Sequence, residues 1–190
     1  MRAREVMRLM QSSINGEIEP HGRIAEADSI VGFSFGVRYD EGHYMAPGAT
    51  NEALGTWLAD QFKPQRLMIL QQELADVVCD IQPDASQTVV ALPTMKSSGC
   101  TFNTHELIGQ IRRKYTIAQL GKIGLCAFRY HMPRVDAQMK HANFETIVDP
   151  SLQQVGDFDP QSSQVWTQNS RRWSLREPLV ILQHAYTHKL

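Results

Sequence analysis

Lys122-Ile-Gly-Leu-Cys-Ala-Phe128, followed by Tyr130-His-Met-Pro-Arg134 and closed by Glu145-Thr-Ile-Val148, is the stretch that decides the fold. The first run is apolar beyond Lys122 and only strand-sized. Pro133 then falls near the first turn of a helix over 133–143, where its missing N–H is tolerated. The second run has room only for another strand. Two strands joined through a helix pair in parallel, because a hairpin connection would be far shorter.

The same alternation runs back to residue 29. Ser29-Ile-Val-Gly-Phe-Ser-Phe35 reads as a strand, and Leu54, Trp57, Leu58 and Phe62 recur at helical spacing over 51–62. Arg66-Leu-Met-Ile-Leu70 is a second strand, 73–81 a helix, and Thr88-Val-Val-Ala-Leu92 a third strand. Asn103-Thr-His-Glu106 has capping-box spacing ahead of Leu107, Ile108, Ile111 and Tyr115 on one helix face. These units predict an α/β three-layer sandwich with a mainly parallel sheet of about five strands. Residues 1–28 read as an N-terminal helix and connector covering one face of the sheet, and residues 29–190 as the α/β domain. From 149 to 172 the chain turns polar, as in a long surface excursion. Ser174-Leu-Arg-Glu177 repeats the capping-box spacing, which predicts a terminal helix with Pro178 in its first turn and Leu175, Leu179, Leu182 and Tyr186 on its packed face.

The 190 residues are 42% hydrophobic and 21% charged, which excludes a disordered, collagenous or membrane-embedded chain. Nineteen Lys+Arg against twenty Asp+Glu give a formal net charge of -1, without the electrostatic footprint of a nucleic-acid binder. No run is long and apolar enough for a membrane span or a signal-peptide core. Cys79, Cys100 and Cys126 contain no C-x-x-C, so neither a disulfide framework nor a zinc knuckle is indicated. A cytoplasmic location is the expectation.

Within the neutral total the charges are segregated. Residues 49–92 hold two basic and six acidic side chains, residues 93–144 eight and two, and residues 161–190 four and one. In a doubly wound sheet the loops after the strands converge at the carboxyl edge, where helix N-termini aim their N–H groups at a ligand. Arg38, Arg129, His131 and Arg134 follow strand ends, and Arg171, Arg172 and Arg176 lie at or before the start of the last helix. This favours an anionic small molecule as partner. Solvated ion pairing is the plainer reading of each arginine taken singly.

Two segments form a site-like constellation. Thr101-Phe-Asn-Thr-His-Glu106 places Asn103, Thr104 and Glu106 at the head of one helix, and Tyr130-His-Met-Pro-Arg134 places His131 and Arg134 at the head of the next. Helix capping alone is the competing explanation for Asn103 and Glu106. Gly32-Phe-Ser-Phe-Gly36 is a literal G-x-S-x-G, the spacing that holds the nucleophile of α/β-hydrolases on a strand-to-helix turn, and Asp157 and His184 could complete that order. The residues after it read as a loop instead, with Gly32 and Gly36 letting the chain leave the strand near a ligand. His184-Ala-Tyr-Thr-His188 has a metal-compatible i, i+4 spacing, and Cys100 could be a reactive thiol at a helix N-terminus. Positive charge at a helix end and an ordinary small buried residue account for them as well. No G-x-G-x-x-G or P-loop occurs.

Asn103-Thr-His-Glu106, His131-Met-Pro-Arg134 and Leu175-Arg-Glu177, in that order, resemble the SanA/YdcF/ElyC-like family, a domain of unknown function, over residues 29–190. The chain departs from that family in having Thr101 and Leu107 around the N-T-x-E, Leu70-Gln-Gln-Glu73 after the second strand, and no N-terminal membrane segment. The resemblance implies a Rossmann-like sandwich with a polar pocket at the carboxyl edge, in a family tied to bacterial envelope or polyprenyl-phosphate processes, with S-adenosylmethionine as one conceivable ligand.

The expectation is a protein that binds, and could act on, a nucleotide-like or phosphorylated small molecule. Arg38, Asn103, Thr104, Arg134 and Arg176 would hold the anion, and His131 with Glu106 would transfer a proton. The alternatives are a serine hydrolase using Ser34 and a non-catalytic interaction domain.

Overall fold

The computed structural model describes residues 3–40, 43–96 and 101–187. Cys100 and His188 lie outside them. Seven α-helices are present among the described residues: α1 (Ala3–Asn15), α2 (Ala49–Asp60), α3 (Gln72–Ile81), α4 (Thr104–Lys114), α5 (Ile117–Leu120), α6 (Met132–His141) and α7 (Ser170–Tyr186). The strands are β1 (Ser29–Gly32), β2 (Arg38–Asp40), β3 (His43–Ala46), β4 (Leu67–Gln71), β5 (Val89–Leu92), β6 (Ile123–Cys126) and β7 (Thr146–Ile147). Five of them form one sheet in the order β5-β4-β1-β6-β7, every neighbouring pair parallel.

Counted along the sheet alone, that order is 3-2-1-4-5, the doubly wound Rossmann-like arrangement. It arises because the chain steps outward in one direction through α2 and α3 and then returns past β1 to build the other half. Accordingly α2 packs on α3, while α1, α4, α6 and α7 pack among themselves as the second helical layer. β1 and β6 are buried at every residue, which explains their unbroken apolar runs. The point where the chain reverses lies between β1 and β6, and a crevice forms beyond their carboxyl ends.

The loop leaving β1 is held rigidly. Phe35 N–H donates to Asn51 Oδ1 at 2.7 Å, Asn51 Nδ2 donates to Gly36 O at 2.7 Å, and Ser34 N–H donates to Gln71 Oε1 at 2.8 Å. Gly36 has φ of +73°, and a Cβ there would stand 2.7 Å from Ser162 Oγ and Thr167 Oγ1, so only glycine fits. Gly32 serves the core instead of a ligand: the space of its missing Cβ is taken by the Leu70 and Leu74 side chains. Within residues 37–42, expected as a loop, Arg38–Asp40 form β2, which pairs antiparallel with β3.

The C-terminal helix corrects the sequence reading in three ways. It starts at Ser170, capped by Asn169 Oδ1 accepting from Arg172 N–H at 3.0 Å, so Ser174-Leu-Arg-Glu177 is no capping box. Pro178 lies in the helix interior. The buried residues are Trp173, Glu177, Ile181 and His184, whereas Leu175, Leu179, Leu182 and Tyr186 face outward. The excursion over 149–169 is also less open than expected. It winds through two 3-10 turns (Pro150–Gln154 and Val165–Thr167) and buries Leu152, Asp159, Ser162 and Thr167. Phe158 from this segment packs on Phe35, Phe128 and Tyr130, with Trp173 against Phe35, an aromatic floor under the crevice. Trp173 Nε1 donates to Ser13 O at 3.1 Å and fastens α7 to α1. No helix among the described residues is long and apolar enough to cross a membrane.

Candidate functional site

A cavity of about 320 Å³ opens at the β1/β6 switch point. Its walls come from the loop after β1 (Ser34), the end of β4 (Gln71), the heads of α4 (Asn103, Thr104) and α6 (His131, Arg134), and one side of α7 (Arg176). The parallel topology dictates this convergence, since every strand delivers its following loop to the same edge.

The polar groups are built from the helix caps inward. Asn103 Oδ1 accepts from Glu106 N–H at 3.0 Å, and Glu106 Oε2 accepts from Asn103 N–H at 2.9 Å, a complete capping box. That cap fixes Thr104 as the first residue of α4 and turns its hydroxyl inward. Thr104 Oγ1 accepts from Arg134 Nη1 at 3.1 Å and lies 3.1 Å from His131 Nε2. Arg134 in turn donates to both Glu177 oxygens, Nε to Oε1 at 2.6 Å and Nη2 to Oε2 at 3.3 Å. Both partners are almost fully buried. Four side chains from three helices thus form one chain of contacts, Glu177-Arg134-Thr104-His131.

His131 ends that chain with a vacancy. Its Nδ1 is buried and has no partner in the protein. Burial first, and then the positive charges of Arg134 and Arg176, hold its imidazole well below the ordinary histidine range, so it is neutral near pH 7. If Thr104 donates to Nε2, Nδ1 carries the proton and is a donor; in the other tautomer Nδ1 is an acceptor. Either way a buried polar atom without a partner costs about 1–3 kcal/mol.

Arg176 supplies the charge. Its guanidinium stacks 4.1 Å over the Trp166 ring, and burial lowers its pKa without discharging it. Among the described residues it has no ion-pair partner within 4 Å, and the neighbouring Glu177 is committed to Arg134. Arg134 and Glu177 offset one another, His131 is neutral, and the cavity is left with an excess of one positive charge.

Of the other expected residues, Arg38 does not line the cavity. It pairs with Asp159, Nε to Oδ2 at 2.8 Å and Nη2 to Oδ1 at 3.0 Å, and so ties the β2-β3 ribbon to the excursion. Glu106, read as a proton-transfer partner of His131, is not in the cavity wall either; besides its cap it accepts from Lys96 Nζ at 2.6 Å. Ser34 does line the cavity, but the chain after it enters β2 and not a helix. Asp157 pairs with Arg129 at 2.9 Å, and His184 Nδ1 meets Gln138 Nε2 at 2.8 Å. No nucleophile elbow and no serine-histidine-aspartate relay results among these residues.

Several wall residues were missed in the sequence. Gln71 and Thr94 end or follow strands, a position that could have flagged them, but their types are unremarkable. Glu73 lies behind Thr94, fully buried at the head of α3, and accepts from Thr94 Oγ1 at 2.6 Å through Oε2. Burial pushes its carboxyl up from the ordinary range. Glu177 was read as a cap because its spacing from Ser174 fits one equally well. Compared with known proteins, the chain matches no protein-family profile, no curated sequence and no solved structure, so the crevice is assigned from its own residues.

Proposed function

We propose that the protein binds a small polar molecule bearing one anionic group, phosphorylated or nucleotide-like, in the β1/β6 crevice. The observation that carries this is the presence of two side chains in one cavity wall: Arg176, which has no ion-pair partner within 4 Å among the described residues, and His131, whose Nδ1 has no hydrogen-bond partner. A phosphate monoester accepts from the guanidinium and, once the His131 ring turns its Nδ1–H into the cavity, from the imidazole. Hydroxyl and amide groups of Ser34, Gln71, Thr94 and Asn103 then face the remainder of the ligand. S-adenosylmethionine suits the site less well, because its sulfonium and ammonium groups seek carboxylates and Glu177 is already taken by Arg134.

The resemblance to SanA/YdcF/ElyC-like proteins supports the same edge, since both N-T-x-E and H-x-x-R open helices on its rim. Chemistry at the site would run through His131, whose neutral imidazole can accept a proton once an anion alongside stabilises the charged form. Glu106 is not placed to share that step.

Thermal unfolding with inorganic phosphate, nucleoside monophosphates, sugar phosphates and S-adenosylmethionine tests the reading. A ligand at ten times its Kd adds about 1.4 kcal/mol, a shift of a few degrees for a chain of this size. A phosphate ester is expected to raise Tm in the wild type and not in Arg176→Gln. No shift with any phosphorylated compound, or an equal shift in both proteins, contradicts it.

A further inference from the structure

We infer that the outward face of α7 is the interface of a two-fold homodimer in which two copies of the helix pack antiparallel. This surface is separate from the ligand reading and stands or falls without it. Leu175, Leu179, Leu182 and Tyr186 are 71%, 66%, 48% and 86% exposed. At about 100° per residue they form one straight stripe, diametrically opposite Trp173, Glu177, Ile181 and His184, which fasten the helix to the body. The helix therefore carries large side chains on two faces, and only one of them is covered by the described residues of its own chain.

The spacing of the stripe identifies its occupant as another helix. Steps of 4, 3 and 4 residues are those of alternating a and d positions in a two-helix seam. The pattern is symmetric about the midpoint between Val180 and Ile181. A two-fold axis there sets Leu175 against Tyr186 of the partner subunit and Leu179 against Leu182 of the partner subunit, so one surface complements itself.

Charge selects the antiparallel direction. Arg171 and Arg172 flank the stripe in the first turn of α7, whereas residues 178–187 carry no Lys, Arg, Asp or Glu and Lys189 follows them. Parallel pairing would stack the arginines of the two copies. Antiparallel pairing separates the arginines of the two copies and lays each first turn near the carboxyl end of the other helix, whose dipole presents negative charge. The four residues expose roughly 500 Å², at the upper end of what a monomer leaves uncovered, and complete burial in two copies brings roughly 1,000 Å² together, the lower limit for a specific interface. The remaining large exposed apolar residues, such as Ile81 on α3 and Ile117 on α5, are scattered singly.

Sedimentation velocity or light scattering at tens of micromolar decides it. The expected mass is twice the 21.5 kDa of the chain. Leu179→Glu and Leu182→Glu, both at exposed positions, should give folded monomers with an unchanged circular dichroism spectrum, while Ile81→Glu stays dimeric. Leu175→Glu should dissociate the dimer, and Tyr186→Lys added to it should restore the association, since only the antiparallel seam brings these positions together. A monomeric wild type, a dimeric Leu179→Glu, a monomeric Ile81→Glu or a double variant that stays monomeric would each overturn the inference.

Discussion

Two hollows in this molecule invite a ligand, and they differ in what their polar groups lack. One, about 410 Å³, runs between α1 and α6 and is lined by Leu9, Met132, Pro133, Ala137 and Val148 with charges at its margin. Those charges are answered locally: Arg8 pairs with Glu19 at 2.7 Å, and Lys140 with Asp136 at 2.7 Å. The crevice beyond β1 and β6, about 320 Å³, contains a buried imidazole nitrogen with no hydrogen-bond partner and an arginine with no ion-pair partner within 4 Å among the described residues. Size therefore does not separate the two hollows. The crevice holds groups that a ligand would complete, and the groove has nothing left to offer.

Their ion pairs should respond very differently to removal. Glu177→Gln leaves Arg134 charged and buried without a carboxylate, and the expected loss is about 3–5 kcal/mol by urea unfolding. A loss below about 1 kcal/mol would mean that Arg134 finds solvent and that the crevice is wetter than drawn here.

The histidines beside the two hollows carry opposite signs. His131 has a folded-state pKa below its unfolded value, so below about pH 6.5 the unfolded chain takes up a proton that the folded chain refuses. Stability should fall as the pH drops, by up to about 1.4 kcal/mol per unit, until the folded-state value is reached. His131→Asn should flatten that part of the profile. His21, beside the groove, is raised by its hydrogen bond to Asp136, whose Oδ1 lies 3.5 Å away. Its contribution is complete below about pH 6.5 and is lost as the pH rises through the raised value, so His21→Asn should have a smaller effect of opposite slope. If both variants change the profile in the same direction, the contrast between the hollows fails. The smallest change belongs to Lys140→Ala, which removes an exposed i, i+4 pair at the groove and should cost no more than about 0.5 kcal/mol.

Much of the architecture could be read in advance, because parallel strands buried on both faces must be continuous apolar runs and because helix heads carry capping residues. Asn103 and Glu106 form the expected cap, and His131 and Arg134 stand at the expected edge. What escaped was the direction of α7. Both its faces carry large side chains at helical spacing, and the sequence contains no rule that prefers Trp173, Glu177, Ile181 and His184 over a stripe of three leucines and a tyrosine. The buried set wins through tertiary contacts: Glu177 meets Arg134, and Trp173 reaches Ser13. The same blindness hid the site's electrostatics. Arg134 and Arg176 look alike as letters, and only the fold hydrogen-bonds one to both oxygens of Glu177 and sets the other over the Trp166 ring.

The central claim, that the crevice keeps a neutral imidazole waiting for an anion, is tested most directly by nitrogen-detected NMR of the His131 ring. In the free protein the ring should remain neutral from pH 7.5 down through pH 6, where an exposed histidine would be mostly protonated. Addition of the phosphate ester that gives the largest thermal shift should move the Nδ1 resonance in the wild type and leave it in place in Arg176→Gln. A ring that titrates near pH 6.5 and does not respond to any phosphorylated compound would contradict the account.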